Sequence, residues 1–217
     1  MKRIMCYGDS NTWGHNPNAI DEKTGFYCRY PEHVRWTSVL QDSLGSEYIV
    51  CEEGLCGRTT SYEDPTHYGW NGNQYLEVAI RTCDPLDCII LMLGTNDTKD
   101  MFGSSAYVIT LCLERLIRNC KDVLRNSISK DARIIVACPV MVQRADDGTY
   151  WYGFSEESTK KGEEMRKRFA DLAQLLGCEF FDVNTVATVD GADGVHLNTQ
   201  SHISLGKALA EKIREVL

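Results

Sequence analysis

The chain has no apolar run approaching the roughly 18 residues that a membrane-spanning helix requires. Clustered positive charge is absent as well. The 23 lysines and arginines are scattered among 31 acidic residues, for a net charge of −8 and a pI near 5.2. That balance argues against nucleic acid or an anionic membrane as the main partner. Cysteine is plentiful, with ten residues, but no two of them stand in a C-x-x-C pair. The usual zinc and redox spacings are therefore missing, and no metal or cofactor is expected. Nor is there a repeat, a low-complexity segment or a linker-like stretch. At 217 residues the reading is one domain, 1–217, large enough to bury a full central sheet. Met1-Lys2-Arg3 runs straight into an apolar strand, which leaves no room for a signal peptide, so a cytoplasmic protein with reduced thiols is expected.

Four short apolar segments, 3–7, 48–52, 88–93 and 133–138, read as strands, with a weaker fifth at 179–183. Their hydrophobicity is nearly continuous rather than alternating, as suits parallel strands covered on both faces. Between and after them lie helical patterns at 34–44, 75–83, 106–124, 158–176 and 199–216. Strand and helix alternate throughout, which predicts an α/β protein: a three-layer α/β/α sandwich on a parallel sheet with right-handed crossovers. Three connections, 14–33, 59–74 and 142–157, are longer than a compact fold requires and are rich in aromatics. Those rings either cap the edge of the core, or wall a pocket or subunit interface.

The chemistry gathers at strand ends. In Ile4-Met5-Cys6-Tyr7-Gly8-Asp9-Ser10 an apolar run breaks at glycine, and a hydroxyl follows at once. Ligands of open α/β sheets bind beyond the carboxyl ends of the strands, which makes Ser10 a candidate nucleophile. Serine needs a base, itself oriented by a third group. Asp193 and His196 are three residues apart, so one turn brings the carboxylate to Nδ1–H and leaves Nε2 for the serine proton. Taken alone, an Asp-x-x-His is also the pattern of an ordinary turn holding a satisfied histidine. Asn96, in Leu93-Gly94-Thr95-Asn96-Asp97, follows a second strand and offers an amide donor for an oxyanion, or else a helix cap. Gly57, after a third strand, offers an unobstructed backbone N–H, or a plain turn. Arg58 reads equally as a loop anchor through a carboxylate or as a guide for an anionic substrate. His33 and His67 lie in loops without ligand-like partners, and His202 reads as a packed helix residue.

Together, Tyr7-Gly8-Asp9-Ser10, Gly57, Gly94-Thr95-Asn96-Asp97 and Asp193-x-x-His196 resemble the four blocks of the SGNH (GDSL-type) hydrolase superfamily, in order and across essentially the whole chain. Val34-Arg35-Trp36-Thr37, Glu52-Glu53-Gly54-Leu55, Arg58-Thr59-Thr60 and 92–99 resemble its bacterial arylesterase/acyltransferase branch. The resemblance implies Ser10 as nucleophile, His196 as base and Asp193 as its orienting partner. It further implies an oxyanion hole of Ser10, Gly57 and Asn96, and a five-stranded flavodoxin-like sheet. It implies no metal, a small-molecule ester substrate and a homo-oligomer. Asn11 stands where that branch favours an apolar residue, and His15 where an aromatic is the commoner choice. With Trp13 they are the candidate substrate-pocket residues, and they give the mouth of the site a more polar character. A short-chain serine esterase, with acyl transfer as a further activity, is the reading that follows. The alternatives are a carbohydrate acetylesterase, or a phosphate- or flavin-binding module built on the Gly8–Thr12 loop.

Overall fold

The computed structural model describes all 217 residues. The chain runs β1 (Lys2–Gly8), α1 (Ser10–Trp13), β2 (His15–Ile20), β3 (Tyr27–Arg29), α2 (Trp36–Leu44), β4 (Tyr48–Gly54) and α3 (Gly72–Cys83). It continues with β5 (Cys88–Met92), α4 (Ala106–Arg125), β6 (Arg133–Cys138), α5 (Glu156–Leu175), β7 (Glu179–Asp182) and α6 (Thr199–Val216). Five strands form one parallel sheet in the order β4-β1-β5-β6-β7, the flavodoxin-like arrangement. β1 is central, paired with β4 on one side and β5 on the other.

Successive side chains of a strand point to opposite faces, and both faces here are covered. Met5 and Tyr7 of β1, with Ile89 and Leu91 of β5, enter a 25-residue core beneath α3, α4 and α5. Ile4, Cys6, Cys88, Ile90 and Met92 enter an 18-residue core beneath α2 and α6. Two cores of comparable size explain why the strands carry no polar alternation. All ten cysteines are free thiols, and Cys6, Cys83, Cys88, Cys120 and Cys138 are buried among apolar side chains.

Two departures from the sequence reading concern what lies between strands. The segment 14–33 contains an antiparallel hairpin, β2–β3, that its sequence does not announce. β2 reads His15-Asn16-Pro17-Asn18-Ala19-Ile20, polar and proline-bearing, and pairs with β3 irregularly, through His15↔Arg29 and Ile20↔Tyr27. Proline is tolerated there because the ribbon is an edge. Charge fastens this ribbon to β4: Arg29 lies 2.7 Å and Arg35 3.1 Å from the Glu52 carboxylate. α3 also starts three residues early, at Gly72, because the Asn71 side chain accepts from the Asn73 N–H at 3.0 Å and caps it.

His202 of α6 lies fully buried between the layers, where its Nδ1 accepts the Trp36 N–H at 3.2 Å and Tyr30 meets it edge-on. Burial pushes its pKa from 6.5 down to about 3. A base depressed in the folded state contributes stability that is present above 6.5 and lost as pH falls toward the folded value. Urea midpoints should therefore drop as pH is lowered through this window. The His202→Asn variant, which keeps an acceptor without the titration, should show a shallower decline. Parallel curves for the two proteins would remove His202 from the acid response.

Candidate active site

Three neighbouring strands, β4, β1 and β5, end side by side, and each is followed by one piece of the site. At the end of β1, Gly8 is required by space: a Cβ there would lie 2.0 Å from Thr12 Oγ1 and 2.8 Å from the Met92 carbonyl. The Asp9 side chain then accepts the Asn11 N–H at 3.0 Å and caps α1, of which Ser10 is the first residue. The Ser10 N–H is thus one of the first-turn donors that helix geometry leaves without an internal acceptor.

Ser10 Oγ lies 2.9 Å from His196 Nε2, and His196 Nδ1 lies 2.5 Å from Asp193 Oδ2. All three residues are nearly buried. Asp193 Oδ1 accepts the N–H groups of Val195 at 2.8 Å and His196 at 2.9 Å, so one carboxylate both folds the turn and holds the ring. Burial alone would raise this carboxyl. The His196 side chain and the two N–H groups outweigh it and hold the pKa below its ordinary value. With the Nδ1 proton directed at Asp193, Nε2 is left to accept from the Ser10 hydroxyl.

After β4, Gly57 adopts φ +81°, and a Cβ there would strike the Trp70 ring at 2.3 Å. Only glycine keeps this turn against the indole, and its N–H takes part in no backbone hydrogen bond. After β5, Asn96 donates from Nδ2 to the Arg58 carbonyl at 3.1 Å, which orients the amide toward the same cleft. Ser10, Gly57, Asn96 and His196 all line a cleft of about 260 Å³. Beneath it, Asp97 is fully buried and accepts the Thr60 N–H at 3.0 Å, pinning the 59–74 loop to the end of β5. Burial raises its pKa to about 6, against the lowering effect of the Thr60 hydrogen bonds.

Asn11 and Trp13, expected at the pocket wall, do not line the cleft. Asn11 is 2 % exposed and faces the loop that carries His196: Oδ1 accepts the Leu197 N–H at 2.9 Å, and Nδ2 donates to the Val195 carbonyl at 3.3 Å. A polar residue is present because its amide replaces backbone partners, not because the mouth is polar. Trp13 packs under the Arg29 guanidinium instead. His15 does reach the cleft. Its ring stacks on His196 at 3.8 Å, and burial first, then the charge of His196, push its pKa down to about 4. His15, Asp193 and His196 place ligand-type atoms within 4.8 Å of one another. Both ring nitrogens of His196 are already engaged, so this trio is no ready-made tetrahedral site.

Arg58 resolves as a structural staple. It is 3 % exposed, lies over the Tyr7 ring, and donates to the Gly8 carbonyl at 3.0 Å and to the Glu53 carbonyl. Backbone carbonyls, not a carboxylate or a ligand, occupy it. Of the loop aromatics, Trp70, Trp151, Tyr152 and Phe154 wall the cleft, whereas Tyr62 stacks on Phe102, and Tyr68 and Phe26 face solvent. His67, read from sequence as an idle loop histidine, lies flat on Trp70 at 3.7 Å within the cleft wall. Lys99, which enters the sequence reading only as the last residue of the 92–99 block, also lines the cleft. It stands just beyond the Gly-Thr-Asn-Asp block, and no pattern in its neighbours signals which way its side chain turns.

Removing the amide clasp should be felt in both stability and rate. Asn11→Ala strands the buried Leu197 N–H and should cost about 1–3 kcal/mol in urea unfolding. Any turnover that needs Ser10 and His196 together should fall with it, because the His196 loop loses its tether. An Asn11→Ala protein with wild-type stability and rate would show that the clasp carries no weight.

The GDSL-like lipase/acylhydrolase family model matches residues 6–202. The chain is 35 % identical to the aryl esterase of M. smegmatis, with a TM-score of 0.90 and complete coverage of both chains. It is 31 % identical to a carbohydrate acetylesterase from Sinorhizobium meliloti, with a TM-score of 0.89 and complete coverage of both. A multidomain esterase from Ruminococcus flavefaciens is 26 % identical over 99 % of this chain, which spans only 29 % of that relative's length. A family match across most of the chain, on a sheet whose strand ends bring Ser10, Asn96 and His196 into one cleft, makes this chain a member of the GDSL-like lipase/acylhydrolase family.

Proposed function

We propose that the protein is a serine esterase that hydrolyses short-chain carboxylic esters through an acyl-enzyme. The observation that carries this reading is the 2.9 Å approach of Ser10 Oγ to His196 Nε2, with Asp193 behind the imidazole. As Ser10 Oγ bonds to the ester carbonyl carbon, His196 takes its proton, and Asp193 balances the imidazolium that forms. The carbonyl oxygen becomes an oxyanion, held by the N–H groups of Ser10 and Gly57 and the amide of Asn96. Collapse of this intermediate breaks the bond to the alcohol, which leaves with the proton from His196. Water, deprotonated in turn by His196, then attacks the acyl-Ser10 carbonyl. The acid departs, and the proton returns to Ser10.

The modest cleft supports a small acyl or aryl group, and its aromatic wall keeps the reacting carbonyl out of bulk water. An acceptor alcohol in place of water would give acyl transfer by the same steps. A carbohydrate acetylesterase is the second reading. It is favoured by the Asp64, Thr66 and Lys99 polar groups in the cleft lining, which suit sugar hydroxyls. The ten unpaired thiols support a cytoplasmic protein. Exposed Tyr107, Val108 and Leu111 on α4 support a homo-oligomer. No helix is long and apolar enough to cross a membrane.

Ser10→Ala should abolish release of 4-nitrophenol from 4-nitrophenyl acetate while leaving the circular-dichroism melt in place; full activity in that variant would end the acyl-enzyme reading. Asn96→Ala should lower kcat on the order of 10²–10³-fold, the scale of one oxyanion donor. An unchanged rate would exclude Asn96 from that role. Comparing acetate release from acetylated xylan and from phenyl acetate separates the two substrate readings.

A further inference from the structure

One charged side chain in the cleft has no use in the mechanism above. Lys99 is the single lysine or arginine among the residues lining it. Its ammonium makes no hydrogen bond and has no carboxylate within 4.0 Å, whereas most other charged side chains near the site are engaged. Arg58 is spent on backbone carbonyls, Arg29 and Arg35 on Glu52, and Lys161 on the Thr98 carbonyl at 3.1 Å. Asp64, the nearest acid in the cleft, is not the missing partner. It lies outside ion-pair distance of Lys99, and its Oδ1 accepts both the N–H and the hydroxyl of Thr66, at 2.7 and 2.5 Å.

The backbone that carries Lys99 is held rigidly. It links two short 3-10 turns, Asn96–Thr98 and Asp100–Phe102. The Asp100 N–H donates to the Gly153 carbonyl at 3.0 Å, and Ser155 Oγ donates to the Asp100 carboxylate at 2.8 Å. The Lys99 stem packs against the Gly153 backbone at ordinary contact distance: a Cβ there would lie 3.7 Å from Lys99 Cγ and Cδ. The ammonium then sits over two rings of the cleft wall, 5.4 Å from the centroid of Phe154 and 5.9 Å from that of Trp70. Burial lowers its pKa, and the carboxylates of Asp64, Asp9 and Asp97 oppose that shift.

A cation held beside aromatic faces, partly out of water and with no carboxylate in direct contact, has its hydrogen-bonding positions open. The strongest hydrogen bond an ammonium forms is to an ionised acceptor such as a carboxylate. We propose that Lys99 is a specificity-determining residue that selects esters bearing a carboxylate, on either the acyl or the alcohol portion, and this rests on the esterase reading above. The carboxylate takes the place of the counter-ion that the protein does not supply. The reacting carbonyl then sits at Ser10 with the far end of the substrate already oriented.

Two matched pairs of esters test this. Phenyl acetate against 4-acetoxybenzoate places the charge on the alcohol portion. 4-Nitrophenyl hexanoate against 4-nitrophenyl hemiadipate places it on the acyl portion. Wild-type enzyme should favour the charged member of one pair, and the pair that responds identifies the portion recognised. Lys99→Met should lower kcat/KM for that charged ester by roughly tenfold or more, mainly through KM, and lower its neutral counterpart far less. Lys99→Arg should restore part of the difference. A wild-type preference for both neutral esters, or equal losses on charged and neutral esters in Lys99→Met, would overturn the proposal.

Calorimetric titration of Ser10→Ala with the same two charged esters reads binding without turnover. Binding that is lost in Ser10→Ala/Lys99→Met supports the proposal; binding that is absent, or the same in both variants, overturns it. Failure of wild-type enzyme to hydrolyse any of the four esters would count against the esterase reading instead, and the titration would still decide the role of Lys99.

Discussion

Two ends of the chain, 186 residues apart in sequence, must be held within hydrogen-bonding reach for this site to exist. The contact that does most to hold them is not the one between the reacting groups. Asn11 follows Ser10 in the first turn of α1, and its amide takes one donor and one acceptor from the loop that carries His196. Its carbonyl also accepts the Trp36 indole N–H at 3.1 Å, tying the same turn to α2. These bonds are buried, so each partner left unpaired would cost more than the bond itself contributes. Asp193 completes the arrangement from the other side, spending one oxygen on its own turn and the other on the imidazole. A second tie runs from Asn18 in the hairpin to Asp190 at 2.9 Å, so the ribbon braces the loop as well.

Electrostatically, the cleft is a place where charge is expensive. His15 lies against the face of His196 and is kept neutral by burial and by its neighbour, so it supplies an uncharged stacking surface. Tyr27 and Trp151 continue this wall, at 4.8 and 6.5 Å from His15 and 5.4 Å from each other. Asp9 sits at the turn before Ser10, nearly without exposure, and burial raises its carboxyl despite the bond from the Asn11 N–H. In such surroundings a hydrogen bond or charge is worth more than it would be in water, because little solvent competes for it. The same reasoning makes an unpaired ammonium at Lys99 conspicuous.

Much of the fold was legible because buried parallel strands announce themselves. Continuous apolar segments such as Cys88–Met92 have no other economical use in a chain of this size, and the helices between them carry their own stripes. The hairpin was not legible. Its residues are polar and irregularly paired, and it is held by the Arg29–Glu52 ion pair rather than by an apolar face. At the site, glycines marked the strand ends before Ser10 and Asn96, and the four blocks taken together, rather than any one local pattern, placed them with His196 in one cleft.

Side-chain direction was a different matter. Asn11 reads as a polar residue beside a nucleophile, and only the approach of residues 195–197 turns it inward. Arg58 reads as a cation near a site, but the carbonyls at the ends of β1 and β4 claim it. Lys99 and His67 carry no mark of the cleft at all until the 59–74 and 142–157 loops fold over it. By itself the sequence determined the layers, the strand ends and the kinds of group found there, because backbone periodicity and burial are local properties. Which of those groups face one another was decided only by tertiary structure, because a polar side chain takes its partner from whatever distant backbone folding brings within 3 Å.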